Sequence, residues 1–167
     1  AAIAHETPEH AYGEVCDTLT FCLSKGLGAP VGSVLVGTAD LVARARRLRK
    51  MLGGGMRHVG VLAAAGIVAL EEMVERLRED HALAEWMGGQ FRRVHGVENL
   101  RAVETNIVIF DLAGEPGVAP RVCSALAERG VLVLPKGPRT LRWVTHKDVG
   151  EEDARRAVAA FREVWPS

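Results

Sequence analysis

Lys25 has the surroundings of a lysine that could react with a carbonyl group. It lies in the glycine-rich turn SKGLGAP, residues 24–30, directly after an apolar and β-branched run, residues 18–23. An ammonium group held in a drier pocket or near other cations has a lowered pKa, and the free amine can then form a Schiff base. The neighbouring glycines let a bulky planar group approach the backbone closely. A lysine in such a turn is more often simply solvated, so the turn permits this chemistry without requiring it.

Two strands and a capped helix must position this lysine. Residues 18–23 predict a buried strand, and residues 31–37 predict a second one. Thr38 is the predicted N-cap of a helix that runs to about Leu52, and the triple glycine at residues 53–55 ends it. The cations of this helix crowd toward its C-terminal end, where the helix dipole favours positive charge. They are Arg44, Arg46, Arg47, Arg49 and Lys50.

Two more helices are predicted before the chain changes character. Residues 60–79 predict a helix whose first half, residues 61–67, is apolar all round and is therefore expected to be buried on every side. Asp80 is the predicted cap of a third helix, which reaches about His95. Because two strands cannot close an α/β layer, residues 1–80 indicate the end of a larger sheet with its other strands upstream.

The C-terminal part has a different pattern of strands and helices. Strands are predicted at residues 106–112, 131–134 and 140–146, and helices at residues 118–129 and 151–165, with Gly130 as a helix C′ residue. This βαββα order predicts a small α/β domain with its helices on one side of a short sheet. The predicted boundary falls near residues 96–102, so the domains are assigned as 1–96 and 97–167.

Composition narrows the class of protein. The 167 residues are 48% hydrophobic and carry 21 basic against 21 acidic side chains. This is a globular composition with no bulk positive charge to favour nucleic acid or an anionic membrane. No apolar run reaches the roughly 18 residues of a membrane span. The three cysteines, Cys16, Cys22 and Cys123, lack a metal-ligand spacing, so we expect reduced, apolar fillers, no metal site and a cytoplasmic location.

Three motifs carry a resemblance to a known family. The run TFCLSKGLGAPVGS, residues 20–33, resembles the cofactor-lysine segment of the low-specificity threonine aldolases. The segments RKMLGGGMR, residues 49–57, and VLAAAG, residues 61–66, are similar to the next part of the chain in that family. RWVTHKDV, residues 142–149, resembles the family's closing strand. Together they cover nearly the whole chain in the family's order.

The resemblance implies a fold and an activity. It implies the C-terminal part of the large domain of a fold-type I pyridoxal-phosphate transferase-like enzyme, followed by the small α/β domain. The family cleaves β-hydroxy-α-amino acids, chiefly threonine and allo-threonine, to glycine and an aldehyde, acetaldehyde in these two cases. It therefore implies pyridoxal 5'-phosphate as cofactor, an amino acid as substrate, and a homodimer or homotetramer.

The resemblance also implies roles for four residues. Lys25 is the Schiff-base lysine, and Arg142 binds the substrate carboxylate. Lys50 and Arg57 match positions in or near the active site and are expected to bind the cofactor phosphate or reach a neighbouring subunit. His58 stands where the family more often has glutamine, and a structural or interface role is expected for it.

Other functional parts of the family are expected upstream of Ala1. They are the ring-stacking histidine, the aspartate that pairs with the pyridine nitrogen, the phosphate-binding loop and the base for the β-hydroxyl group. Three hypotheses remain open at this point. The chain is part of a threonine aldolase, part of another pyridoxal-phosphate β-eliminating lyase, or a non-catalytic truncated product that acts only as a dimerisation module.

Overall fold

The computed structural model describes residues 1–165, which form two compact units. The first is Ala1–Leu77, and the second begins at Arg78. The division lies ahead of the 96–102 boundary expected from the sequence, because the helix that begins at Leu77 buries its apolar face in the core of the second unit. The assignment of domains 1–96 and 97–167 remains a prediction about the whole protein. None of the helices within residues 1–165 is long and apolar enough to cross a membrane.

The first unit contains one antiparallel strand pair and three helices. Its strands pair from Thr18 opposite Gly37 to Cys22 opposite Ser33, and the sheet has two strands within the described residues. The Thr38 side chain accepts a hydrogen bond from the Leu41 N–H at 3.4 Å, so the predicted N-cap is confirmed. The elements are α1 (Glu9–Gly13), β1 (Thr18–Cys22), β2 (Ser33–Gly37), α2 (Ala39–Met51) and α3 (Gly60–Glu72).

Two burial predictions for this unit are wrong. Strand β1 is not buried, because Thr18, Leu19 and Thr20 are all exposed. Helix α3 is not enclosed either, with Val61 78% and Ile67 55% exposed. Periodicity reports which residues are apolar, but burial requires a second layer to cover them, and this unit has none over these faces.

Helix α3 is also shorter than predicted. It ends at Glu72, and α4 (Leu77–Phe91) begins five residues later. Asp80 therefore lies in the first turn of α4 and does not cap it, and its side chain is only 2% exposed.

The second unit confirms the predicted βαββα order and adds a short strand before it. All strand pairs are antiparallel, in the order β3-β4-β6-β5. Strand β5 is shorter than predicted, since the Val131 N–H donates to the Leu126 carbonyl and completes the end of the preceding helix instead of pairing in the sheet. The elements are β3 (Val97–Glu98), β4 (Ile107–Leu112), α5 (Val118–Ala127), β5 (Leu134–Pro135), β6 (Thr140–Val144) and α6 (Glu151–Val164).

Aromatic rings form the centre of this second core. Phe91, Phe110 and Phe161 are fully buried, and Trp143 is 4% exposed. The Phe91 ring centroid lies 4.8 Å from that of Trp143 and 5.2 Å from that of Phe161. Each such pair adds about 0.5–1.5 kcal/mol beyond area burial. Helices α4, α5 and α6 contribute the rest of this core, which leaves the opposite face of the sheet open around Arg142.

Candidate functional site

Lys25 lies in a loop that backbone hydrogen bonds close. The Leu23 N–H donates to the Gly32 carbonyl at 2.9 Å, and the Ala29 N–H donates to the Leu23 carbonyl at 3.0 Å. Inside this closure the Gly28 N–H donates to the Lys25 carbonyl at 2.8 Å. Gly28 has φ 74°, a left-handed conformation that favours glycine. The turn predicted from the sequence is thus a closed loop that contains the lysine.

A small apolar cluster anchors the two ends of this loop. Leu23 is 9% and Ala29 7% exposed, and both pack against Ala69 of α3, which is 2% exposed. The Lys25 side chain itself is exposed. The cluster therefore buries Leu23 and Ala29 at the ends of the loop and leaves the lysine between them open. Its ammonium group has no ion-pair partner among the described residues.

Lys50 folds back over the triple glycine. The Gly54 N–H donates to the Arg49 carbonyl at 2.8 Å, which turns the chain at the end of α2. A Cβ placed on Gly55 would lie 2.7 Å from Lys50 Cδ and 3.3 Å from its Nζ. The space that a side chain would fill at Gly55 is thus occupied by the lysine, so the glycine run brings this cation against the segment that leads to Arg57.

Arg57 lies in the exposed turn between the glycine run and α3. The next residue, His58, has φ 56°, which costs a non-glycine residue about 1–2 kcal/mol. Helix α3 then begins at Gly60 with no side-chain cap. A helix N-terminus carries partial positive charge, so it adds to the charge of Arg57, and the turn is suited to an anionic group.

Arg142 projects from the open face of the C-terminal sheet. It lies opposite Ile109 of β4 and Leu134 of β5, whereas its neighbours Leu141 and Trp143 face the core. Its side chain is half-buried and lines a shallow pocket of about 340 Å³ with Leu134, Pro135 and Lys136. No ion pair within residues 1–165 involves its guanidinium group. A partly desolvated guanidinium without a partner is suited to a carboxylate.

A second polar group on this face was missed from the sequence. Asp111 accepts hydrogen bonds from Thr140 Oγ1 at 2.6 Å and from Asn99 Nδ2 at 3.0 Å. The Thr140 bond, followed by the Asn99 bond, lowers the pKa of the Asp111 carboxyl group. The alternation of side chains along β4 could have revealed Asp111, since residues 107, 109 and 111 share one face.

The remaining candidates are structural. The Asp148 N–H donates to His146 Nδ1 at 3.3 Å. Burial raises the pKa of the Cys123 thiol and so makes it less reactive. Cys16 departs from the expected buried filler, because it is exposed and its thiol donates to the Tyr12 carbonyl at 2.8 Å.

Comparison with known proteins gives consistent results. The sequence profile of the family described as Beta-eliminating lyase matches residues 1–115. A probable low-specificity L-threonine aldolase 2 of Arabidopsis thaliana is 40% identical over 169 residues, covering 100% of this chain and 48% of that protein. The low specificity L-threonine aldolase of Escherichia coli K12 is 44% identical over 162 residues, covering 97% of this chain and 47% of that protein.

Solved structures share the fold at low sequence identity. A protein from Listeria monocytogenes, provisionally named an L-allo-threonine aldolase, superposes with a TM-score of 0.77 at 13% identity, over 98% of this chain and 48% of that one. N-acetylornithine aminotransferase from Stenotrophomonas maltophilia gives a TM-score of 0.67 at 21% identity, over 93% of this chain and 41% of that one. The chain spans about half the length of the curated relatives it matches.

Proposed function

The chain belongs to the β-eliminating lyase family, and from this we propose that it is part of a lyase that cleaves L-threonine and L-allo-threonine to glycine and acetaldehyde. The family depends on pyridoxal phosphate, and the fold is the α/β fold of the type I pyridoxal-phosphate enzymes. The observation that carries the proposal is the closed loop that contains Lys25, in a chain 44% identical to a threonine aldolase.

The residues present fit this cofactor chemically. Lys25 supplies a primary amine, and its side chain is exposed on the loop. Lys50 and Arg57 supply cations beside a glycine run, and an exposed helix N-terminus comes directly after them. When bound, pyridoxal phosphate supplies an aldehyde carbon for amines and an electron sink for the bond that breaks.

Lys25 Nζ holds the cofactor in place when no substrate is present. The loop closure at Leu23 and Ala29 fixes the backbone on both sides of the lysine, so that its four-carbon chain starts from a set position. The Lys25 amine would hold the cofactor at its aldehyde carbon, the atom that would also accept the substrate amine. Lys50 and Arg57 bind the phosphate through charge-assisted hydrogen bonds.

Arg142 binds the substrate carboxylate. Its fork of parallel N–H donors matches the two carboxylate oxygens, and Ile109 and Leu134 on either side limit access of water to the pair. The two contacts fix the orientation of the amino acid about its Cα atom, which determines the bond aligned for cleavage.

The whole enzyme requires more than these residues. We infer a homodimer or homotetramer in the cytoplasm, in which further polypeptide covers the apolar surface of the first unit. Val61 and Ile67 on α3 support this, since exposed apolar residues at several positions of one helix are typical of a surface that is covered in an assembly.

Borohydride trapping tests the role of Lys25. The longest reading frame that contains this chain is expressed, and pyridoxal phosphate is added to the purified protein. The protein is then reduced with borohydride, and the labelled peptides are identified by mass spectrometry. Only four lysines compete in this chain: Lys25, Lys50, Lys136 and Lys147. We expect the label on Lys25 and its loss in Lys25→Arg, whereas Lys147→Arg serves as the control. A label on another lysine would overturn the assignment.

Product analysis separates the proposed reaction from its alternatives. The family description also favours β-elimination from another amino acid, which would release ammonia and a keto acid instead of glycine and an aldehyde. A non-catalytic dimerisation module would release neither product, and the exposed apolar face of α3 is the observation that favours it. Glycine and acetaldehyde from threonine are the expected products.

A further inference from the structure

We propose that Gly26 and Gly66 are positioning residues for Lys25, because at each of them a leucine side chain occupies the place of a Cβ atom. The inference rests on the proposed role of Lys25. Both glycines act on the lysine through the loop that carries it.

Helix α3 lies close to the loop at Gly66. A Cβ on Gly66 would lie 2.9 Å from Leu23 Cδ1, a distance that real Cβ atoms essentially never show. Leu23 is also the residue that closes the loop, through its N–H to Gly32 and its carbonyl to Ala29. A methyl group at Gly66 would therefore press on the residue whose backbone makes both closing hydrogen bonds.

Gly26 makes the second contact of this kind, on the other side of the lysine. A Cβ on Gly26 would lie 2.8 Å from Cδ2 of Leu77, the first residue of α4. Leucine contacts thus hold the chain two residues before Lys25 and one residue after it. Packed side chains therefore limit movement of the chain on both sides of Lys25.

Backbone conformation does not explain these two glycines. Gly28 and Gly32 in the same loop have φ 74° and 119°, where only glycine is readily accommodated. Gly26 and Gly66 are not in the left-handed region, so alanine could adopt their backbone angles. Gly60, at the start of the same helix α3, has nothing within 4 Å of a Cβ position. Within α3 the lack of space is therefore at Gly66, where the helix meets the lysine loop, and not at Gly60.

Hydrogen exchange of the full chain tests the first contact without any cofactor. In Gly66→Ala we expect the Gly28 and Ala29 amides, which close the loop, to exchange about tenfold faster. Amides of β4 in the second unit should keep their rates, and Gly60→Ala is the matched control on α3. Adding Leu23→Val removes the Cδ1 atom that the new methyl group meets, and should restore slow exchange at both amides.

The reactivity of Lys25 relative to the other lysines supplies a second measurement. A general loss of stability would not produce the same change. In competitive acetylation, mass spectrometry gives the acetylation rate of Lys25 relative to the rates of Lys50, Lys136 and Lys147. We expect the relative rate to change at least about twofold in Gly66→Ala and in Gly26→Ala. Leu23→Val should reverse the first change and Leu77→Ala the second.

Three results of these experiments would overturn the inference. Unchanged exchange at Ala29 in Gly66→Ala overturns it, as does a double variant that fails to restore the loop. Loss of protection in both units would show that Gly66 supports the whole fold and not the loop in particular, which also overturns it. The proposed function fails separately, when pyridoxal phosphate does not label Lys25 in the unaltered protein.

Discussion

Asp111 lies on the same face of the C-terminal sheet as Arg142, at the next cross-strand pair on that face. Arg142 is opposite Ile109, and Asp111 is opposite Thr140. The Asp111 oxygens already accept hydrogen bonds from Thr140 and Asn99, and no ion pair joins the two side chains within residues 1–165. The nearby carboxylate is therefore occupied, and the Arg142 guanidinium group remains available for an external one.

Replacing Arg142 should weaken substrate binding. In Arg142→Ala we expect the KM for threonine to rise about 10- to 100-fold, since hydrogen bonds to charged groups contribute about 1.5–3 kcal/mol. Steady-state kinetics of the full-length enzyme measures this. Arg121→Ala removes an exposed arginine of α5 and serves as the control. An unchanged KM in Arg142→Ala would remove the residue from the carboxylate site.

A methyl group at Gly55 should act much like the loss of Lys50. Because Lys50 Cδ lies 2.7 Å from the Cβ position of Gly55, the substitution Gly55→Ala must move the lysine. We expect the affinity for pyridoxal phosphate to fall about fivefold, the effect of losing a solvent-exposed charge contact of about 1 kcal/mol. Absorbance titration measures the affinity, with Gly89→Ala, which meets nothing within 4 Å, as the control. Equal affinities in the two variants would contradict the prediction.

The hydrogen bonds of Asp111 should make stability depend on pH in the acid range. The pKa of this carboxyl group in the folded protein is lowered from the ordinary value of 3.8. Its contribution to the free energy of unfolding is therefore complete above pH 3.8, and it is lost as the pH falls through the lower pKa of the folded protein. Thr140→Val removes the hydrogen bond with the largest effect. We expect the free energy of unfolding to fall by about 1 kcal/mol at pH 7, because solvent weakens a hydrogen bond to a partly exposed charge.

Urea unfolding at several pH values tests this prediction. The difference between the unaltered protein and Thr140→Val should shrink below the ordinary aspartate pKa, because the protonated carboxyl group no longer benefits from the bond in the same way. A difference that stays constant from pH 7 into the acid range would mean that the effect of Thr140 is packing and not electrostatic.

Phe91 should be the most sensitive core position of the second unit. It is fully buried and its ring contacts those of Phe110, Trp143 and Phe161. Phe91→Ala should reduce the free energy of unfolding by about 3–5 kcal/mol, through lost transfer energy and the cavity left behind. Leu132→Ala at an 87% exposed apolar side chain should change it by less than about 0.5 kcal/mol. Thermal or chemical denaturation of both variants distinguishes them.

Local features of this protein could be predicted because neighbouring residues determine them. The glycine-rich turn at Lys25, the Thr38 cap and the βαββα order of the second unit result from turn residues, cap chemistry and hydrophobic period. The family was evident from residue order in three motifs. Burial in the first unit could not be predicted in the same way, since an apolar helix such as α3 is buried only when another layer covers it.

The sequence by itself determined which side chains carry the chemistry, Lys25, Lys50, Arg57 and Arg142, because residue type and motif spacing are local properties. Only the tertiary structure brought Leu77 against Gly26, Leu23 against Gly66, and Asn99 and Thr140 onto Asp111. These contacts join residues 12 to 51 positions apart in the chain. The physical reason is that packing selects partners by shape across the fold, and shape at a distance leaves no period or motif in the sequence.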